Sequence, residues 1–106
     1  MSRYIIATRE FELAGDPPEH VLLEILEAHP DGVNWRCGYH VTGLNQDAFS
    51  FYGMGVDAVQ ALHIAMQNAA SILYTSEEYK AGRLTWLGMR NLGLPTADTI
   101  AHLVPQ

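Results

Sequence analysis

One segment most restricts what this chain can become. Residues 58–74, AVQALHIAMQNAASILY, are its one long stretch with helical spacing. Val59, Leu62, Met66, Ala69 and Leu73 recur at three- and four-residue steps, which places them on one side of a helix. Ala58, Ala61, Ala65 and Ala70 add strong helix propensity. A sheet with a single helix has one face covered, and its other face must meet water or a partner.

The segments before that helix read mainly as strands. YIIATREFEL (4–13) alternates: Ile5, Ala7, Phe11 and Leu13 share one face, with Arg9 the exception, and Thr8, Glu10 and Glu12 share the other. GDPP (15–18) breaks the pattern. EHVLLEILEAH (19–29) admits two readings. Val21, Leu22, Ile25 and Leu26 fit a helical stripe, with Asp16 as cap, Pro17 at the first helical position and Glu19 three residues after the cap. Val21, Leu23 and Ile25 equally fit one face of a strand that ends in the turn HPDG (29–32). The local signals lean slightly to helix. NWRCGYHVTGL (34–44) is the clearest strand, with Trp35, Cys37, Tyr39 and Val41 on one side and Arg36, His40 and Thr42 on the other.

NQD (45–47) turns the chain into AFSFY (48–52), a strand with Phe49 and Phe51 inward. Beyond the helix, TSEEYKAG (75–82) predicts a short second turn capped by Ser76 and ended by Gly82. LTWLG (84–88) is a short strand or an extended cover, NLGLPTAD is loop, and residues 96–106 are expected as a loosely docked tail. The sum is one α+β domain over residues 1–106. It is an antiparallel meander of about four strands packed on one long amphipathic helix, with a short C-terminal strand or extended segment.

Composition excludes several function classes. With 106 residues, 48% of them hydrophobic, the chain can bury a core without staples. Its formal charge of −6 repels phosphate backbones, so nucleic-acid binding is not expected. The same charge suits a basic partner, although acidity also serves solubility alone. Cys37 is the one cysteine, so an intrachain disulfide framework and a multi-cysteine zinc site are both out of reach. MSRYIIATREFEL lacks a long apolar run and gains an acid by residue 10, so it does not read as a signal peptide. No stretch approaches membrane-spanning length. The expectation is a soluble protein of a reducing cytoplasm.

FYGMGVDAVQAL (51–62) carries the spacing G-x-G-x-x-A of a dinucleotide loop. A strand precedes it, a helix follows it, and Glu77 and Glu78 lie near the offset of the ribose-binding acid. Three points argue against a nucleotide. The preceding strands read as hairpins rather than crossovers, and too little chain follows the helix for further strand–helix units. Asp57 also sits at the N-cap with Gln60 three residues on, a capping-box arrangement. Its carboxylate would take the amides that a phosphate needs. Gly53 and Gly55 then read as the residues that let the strand turn sharply into the helix.

The remaining candidates are weaker. Cys37 and His40 lie three apart, a spacing that suggests a metal pair or a thiol–imidazole dyad, but on a strand they point to opposite faces. A core thiol is inert. The histidines are 20, 29, 40, 63 and 102, without an HExxH pair. On a helix, His20, Glu24 and Glu27 would share a face that could hold a metal, although such a face is more commonly solvated. His63 sits at the border of the apolar stripe. Serines 2, 50, 71 and 76 stand in no G-x-S-x-G elbow. No catalytic, cofactor-binding or metal-binding residue is assigned, no cofactor is expected, and the enzyme reading is not favoured. On the strand reading the outer sheet face carries Tyr4, Ile6, Leu22, Leu26, Arg36, His40 and Tyr52, more apolar than a solvated face usually is. Either this face meets a partner, or segment 84–104, with Trp86, covers it.

The succession ATREFEL, NWRCGYHVTGL, GVDAVQAL, LTWLG and GLP resembles a family of small bacterial single-domain proteins classed as a domain of unknown function. The resemblance spans about residues 5–95. Its most specific pieces are DAVQAL, WRC with a glycine six positions on, and LTWLG; SEEYKAG and the tail after Pro95 are particular to this chain. It implies a strand at 21–27 and, the family having no assigned activity, transfers no catalytic residue. Two functional expectations stand. One is a non-enzymatic protein-binding module: a homodimer, an adaptor, or an immunity-type inhibitor of a basic partner. The alternative is a small-molecule binder or small enzyme with a pocket between sheet and helix, using His40, Tyr52 or His63. A structural part of a larger assembly is a third.

Overall fold

The segment with two readings is a strand. A computed structural model describes residues 3–45 and 47–105. In chain order the elements are β1 (Ile5–Leu13), β2 (Glu19–Asp31), β3 (Asn34–Leu44), β4 (Asp47–Gly55), α1 (Ala58–Tyr74), α2 (Glu77–Lys80), β5 (Leu84–Thr85) and a closing 3-10 turn (Asp98–Leu103). The sheet has five strands in the order β4-β3-β2-β1-β5, and each neighbouring pair is antiparallel. In β2, Val21 pairs with Phe11, Leu23 with both Arg9 and Val41, and Ile25 with Tyr39. A segment flanked on both sides by strands satisfies its main chain and its apolar face together. That pairing overrides a local helical stripe.

One sheet face is the core. Phe11, Leu13, Val21, Leu23, Ile25, Cys37, Tyr39 and Val41 are buried there against Ala61, Ala65, Ala69 and Leu73 of α1. The helix stripe predicted through Val59 is displaced: Val59 is 76% exposed, while Ala61, Ala65 and Ala69 are fully buried and Leu62 and Met66 are half-buried. The reason lies in β4. A Cβ built on Gly53 would stand 2.4 Å from the backbone nitrogen of Ala65, and one on Gly55 would stand 2.5 Å from that of Ala61. Both glycines belong to the strand rather than to a turn, so their use is close approach. The helix main chain lies on them, and only alanines fit its contact face.

Phe49 and Phe51 share the helix-side register of β4, opposite Val41 and Tyr39. They are not inward residues, however: they are 40% and 51% exposed at the outer edge of the sheet.

The helix start is fixed by side chains. Asp57 accepts a hydrogen bond from the Gln60 amide at 2.8 Å, and the Gln60 side-chain oxygen accepts one from the Val56 amide at 2.8 Å. No phosphate is needed to satisfy these donors. Asp57→Ala should cost about 1 kcal/mol, measurable by urea unfolding. The short α2 is capped by Ser76, which accepts from the Tyr79 amide, and Gly82 follows it at φ +77°.

Beyond the Trp86–Met89 turn the chain folds onto the helix side, not the outer face. Arg9, the misfit of the β1 alternation, explains how. Its guanidinium stacks 3.9 Å from the Trp86 ring centroid and donates to the carbonyls of Leu92 (3.0 Å) and Gly93 (2.9 Å). The Leu92 amide donates to the Tyr74 hydroxyl at 2.8 Å. Leu92 and Ile100 are buried in the main core, with Leu94, Leu103 and Val104 packed against it. The expected tail therefore contributes to the core through Ile100.

Glu12 holds the same region from the other side of the sheet. It accepts from the Gly88 amide at 2.8 Å, from the Leu87 amide at 3.3 Å and from the Thr85 hydroxyl at 3.2 Å. The Gly88 bond, foremost, outweighs desolvation and holds this carboxyl below its usual 4.5. A depressed pKa stabilises the folded form above the unfolded value, and that contribution is lost as pH falls through the folded value. The 85–89 turn should therefore loosen on acidification below 4.5. A fall in the protection factor of the Gly88 amide there, absent in Glu12→Gln, checks it.

Candidate functional site

The outer face of the sheet is the candidate surface. Alternation on β2, β3 and β4 puts Glu24, His40 and Ser50 in one cross-strand row, Gly38 beside Tyr52 in the next, and His29, Arg36 and Met54 in a third. His40 Nδ1 and the Ser50 hydroxyl are 2.7 Å apart. The Arg36 guanidinium stacks 3.8 Å from the Tyr52 ring centroid while its Nε donates to Asp31 at 2.9 Å. Gly38 leaves a gap that Leu26 crosses: a Cβ at Gly38 would lie 3.1 Å from a Leu26 methyl. The result is a shallow groove of about 380 Å³ floored by Leu26, Gly38 and Tyr52 and flanked by Arg36 and His40. Toward β1 the face turns acidic, with Glu10 bonded to His20 at 2.6 Å and Glu24 opposite Thr8.

Of the residues expected on this face, Leu26, Arg36, His40 and Tyr52 converge on the groove, and Leu22 lies beside it, opposite Thr42. Tyr4 precedes β1 and is 77% exposed; its carbonyl accepts from the Glu27 amide at 2.8 Å. Ile6 is elsewhere. A register shift between Ile5 and Ala7 breaks the alternation, so Ile5 pairs with Leu26 and Ile6 lines a helix-side hollow with Ala58, Val59 and Leu62. A one-residue slip exchanges the faces of a strand, and hydrophobic pattern alone carries no sign of it between two adjacent isoleucines. Ser50 and Met54 also belong to the outer face. The parity of AFSFY contained Ser50, and the strand's extension to Gly55 adds Met54.

Family comparison adds no chemistry to this fold. A family model described as a domain of unknown function, DUF6968, matches residues 7–96. The chain belongs to that family. The match takes in nearly all of β1 and every later strand and helix up to the loop before the Asp98–Leu103 turn. No curated protein and no solved structure matches the chain.

The groove of this DUF6968 domain offers stacking, hydrogen bonding and apolar contact. The Ser50–His40 pair is exposed, and among the described residues no hydrogen bond joins Glu24 to His40 to orient the imidazole. In a nucleophile–base pair a third group commonly orients the base. Cys37 is fully buried and donates to the Leu26 carbonyl at 3.3 Å, and burial pushes its thiol pKa up, away from reactivity. His20, Glu24 and Glu27 do not form the helical row that could ligate a metal, because β2 is extended. Among the described residues no group of three or more His, Cys, Asp or Glu side chains is placed to hold an ion, and no helix is long and apolar enough to cross a membrane. A second hollow of about 490 Å³ lies between the sheet and the end of α1, lined by Val41, Leu44, Ala48, Phe49 and Ile72. His40 and Tyr52 belong to the opposite sheet face, and His63 is exposed on α1.

Proposed function

We propose that the domain is a non-enzymatic protein-binding module that works through its outer sheet face, as an adaptor or an inhibitor. One observation carries this reading. The C-terminal segment, the part of the chain able to cover that face, packs on the helix side, held there by Arg9, Tyr74 and the burial of Leu92 and Ile100. Leu22, Leu26 and Tyr52 are thus left half-exposed on a sheet face, where an aromatic and an arginine stacked together make the kind of anchor that interfaces favour. The face suits a partner with an apolar centre to meet Leu26 and Tyr52 and basic groups to meet Glu10 and Glu24. The net charge of −6 speeds encounter with such a partner.

Leu26→Glu and Tyr52→Glu should leave urea unfolding within about 1 kcal/mol of the parent, because both positions already meet water. Each should abolish a complex isolated with the parent chain. A complex that survives both variants, with the fold intact, overturns the reading. The small-molecule alternative rests on the hollow beside Ile72. It predicts thermal stabilisation by an apolar ligand that Ile72→Trp removes.

A further inference from the structure

We infer that two copies of this chain pair antiparallel through their β4 strands, joining their sheets into one. β4 is a free edge of the sheet. Native edge strands are kept from pairing by lysines, prolines, bulges or short length. Past Asp47 and the register shift beside it, β4 has none of these. It is nine residues long, its register with β3 is unbroken from Ala48 to Gly55, and residues 48–56 form nine consecutive positions without a charge or a proline. Phe49 and Phe51 stand exposed on it, and Phe51 contacts both Phe49 and Tyr52 edge-on, at centroid distances of 6.4 and 4.7 Å. Among the described residues the one side chain that reaches the β4 main chain is Asn68, 3.4 Å from the Tyr52 carbonyl. Most of the edge is therefore free to pair.

The occupant is a second copy for three reasons. An antiparallel strand is its own complement across a two-fold axis, so Phe49 and Phe51 are buried on both sides by one contact. The uncharged strip lets two chains of charge −6 meet without placing like charges along the seam. The far edge is guarded: β5 pairs with Glu12 and Leu13 of β1 alone, and the stretch of β1 beyond it, Ile5–Phe11, carries a register shift at Ile5/Ala7 and the charged Arg9 and Glu10. One unguarded edge closes as a dimer rather than propagating into a fibre. Pairing leaves both outer faces exposed, so this inference does not depend on those faces binding anything.

Sedimentation equilibrium of the full chain at micromolar concentration tests it. The parent should have twice the chain mass, independent of further concentration. Phe49→Lys and Phe51→Lys should each weaken self-association at least about tenfold while keeping the parent's far-UV dichroism and cooperative melt. The outer-face variant Leu26→Glu should remain dimeric. A parent that sediments as a monomer overturns the inference, as does one that binds only an extended peptide of another protein. Mass that grows without limit overturns the closed pairing. A dimer that dissociates with Leu26→Glu but survives both lysine variants puts the contact on the outer face and also overturns it, while leaving the binding-module reading standing.

Discussion

Gly53→Ala is expected to cost about 3 kcal/mol or more, at the upper end of what added volume costs in a packed core. The new methyl would lie 2.4 Å from the Ala65 nitrogen and 2.9 Å from its Cα. Those are helix main-chain atoms, so no side-chain rotation relieves the clash; the whole of α1 must move away from β4. Ala61 and Ala69 move with it, and the core they seal opens. Gly55→Ala should behave alike, with Ala61 as its obstacle. Gly38→Ala is the control. Its nearest neighbour is the tip of Leu26 at 3.1 Å, a side chain that can turn, so the change should stay within about 1 kcal/mol. Urea unfolding of the three variants measures the contrast. Equal small losses at all three would mean that the helix does not rest on the strand.

Arg9→Met should be the next largest, at about 2 kcal/mol. It removes two charge-assisted hydrogen bonds, each worth about 1.5–3 kcal/mol where desolvated, and a cation–π contact worth about 1 kcal/mol. Partial exposure and the methionine's own packing reduce that sum. The loss should be local first. Leu92 and Gly93 lose their anchor, Trp86 becomes hydrated, and segment 86–105 opens ahead of the sheet. Limited proteolysis should cut that segment faster in Arg9→Met than in the parent, with the tryptophan emission shifted to the red. Unchanged cleavage would contradict the anchoring role.

The strands of the central sheet were legible because their alternation is strong: Trp35, Cys37, Tyr39 and Val41 have one side and Arg36, His40 and Thr42 the other, as built. The helix was legible as an element but not in its orientation. Val59 is more apolar than Ala61, so a hydrophobic stripe places it inward. The packing depends on size instead, because Gly53 and Gly55 admit nothing larger than alanine against them. Both halves of that fit are visible in the sequence, six and twelve residues apart, but only the paired register shows that they meet. The position of Arg9 was legible as an anomaly whose cause, a segment more than 80 residues away, lay beyond any local pattern. Of the candidate face, Leu22, Leu26, Arg36, His40 and Tyr52 followed from parity. Ile6 did not, because a bulge shifts the register by one residue at Ile5/Ala7.

The proposed binding surface is the face around Leu26. Site-specific photo-cross-linking in the producing cell probes it, with the photoreactive residue in place of Leu26 and, separately, in place of the exposed Val59 on α1. The predicted result is a discrete adduct from position 26, of a mass other than twice the chain, lost when Tyr52→Glu is added and absent from position 59. No adduct from position 26, or the same adducts from both positions, would contradict it.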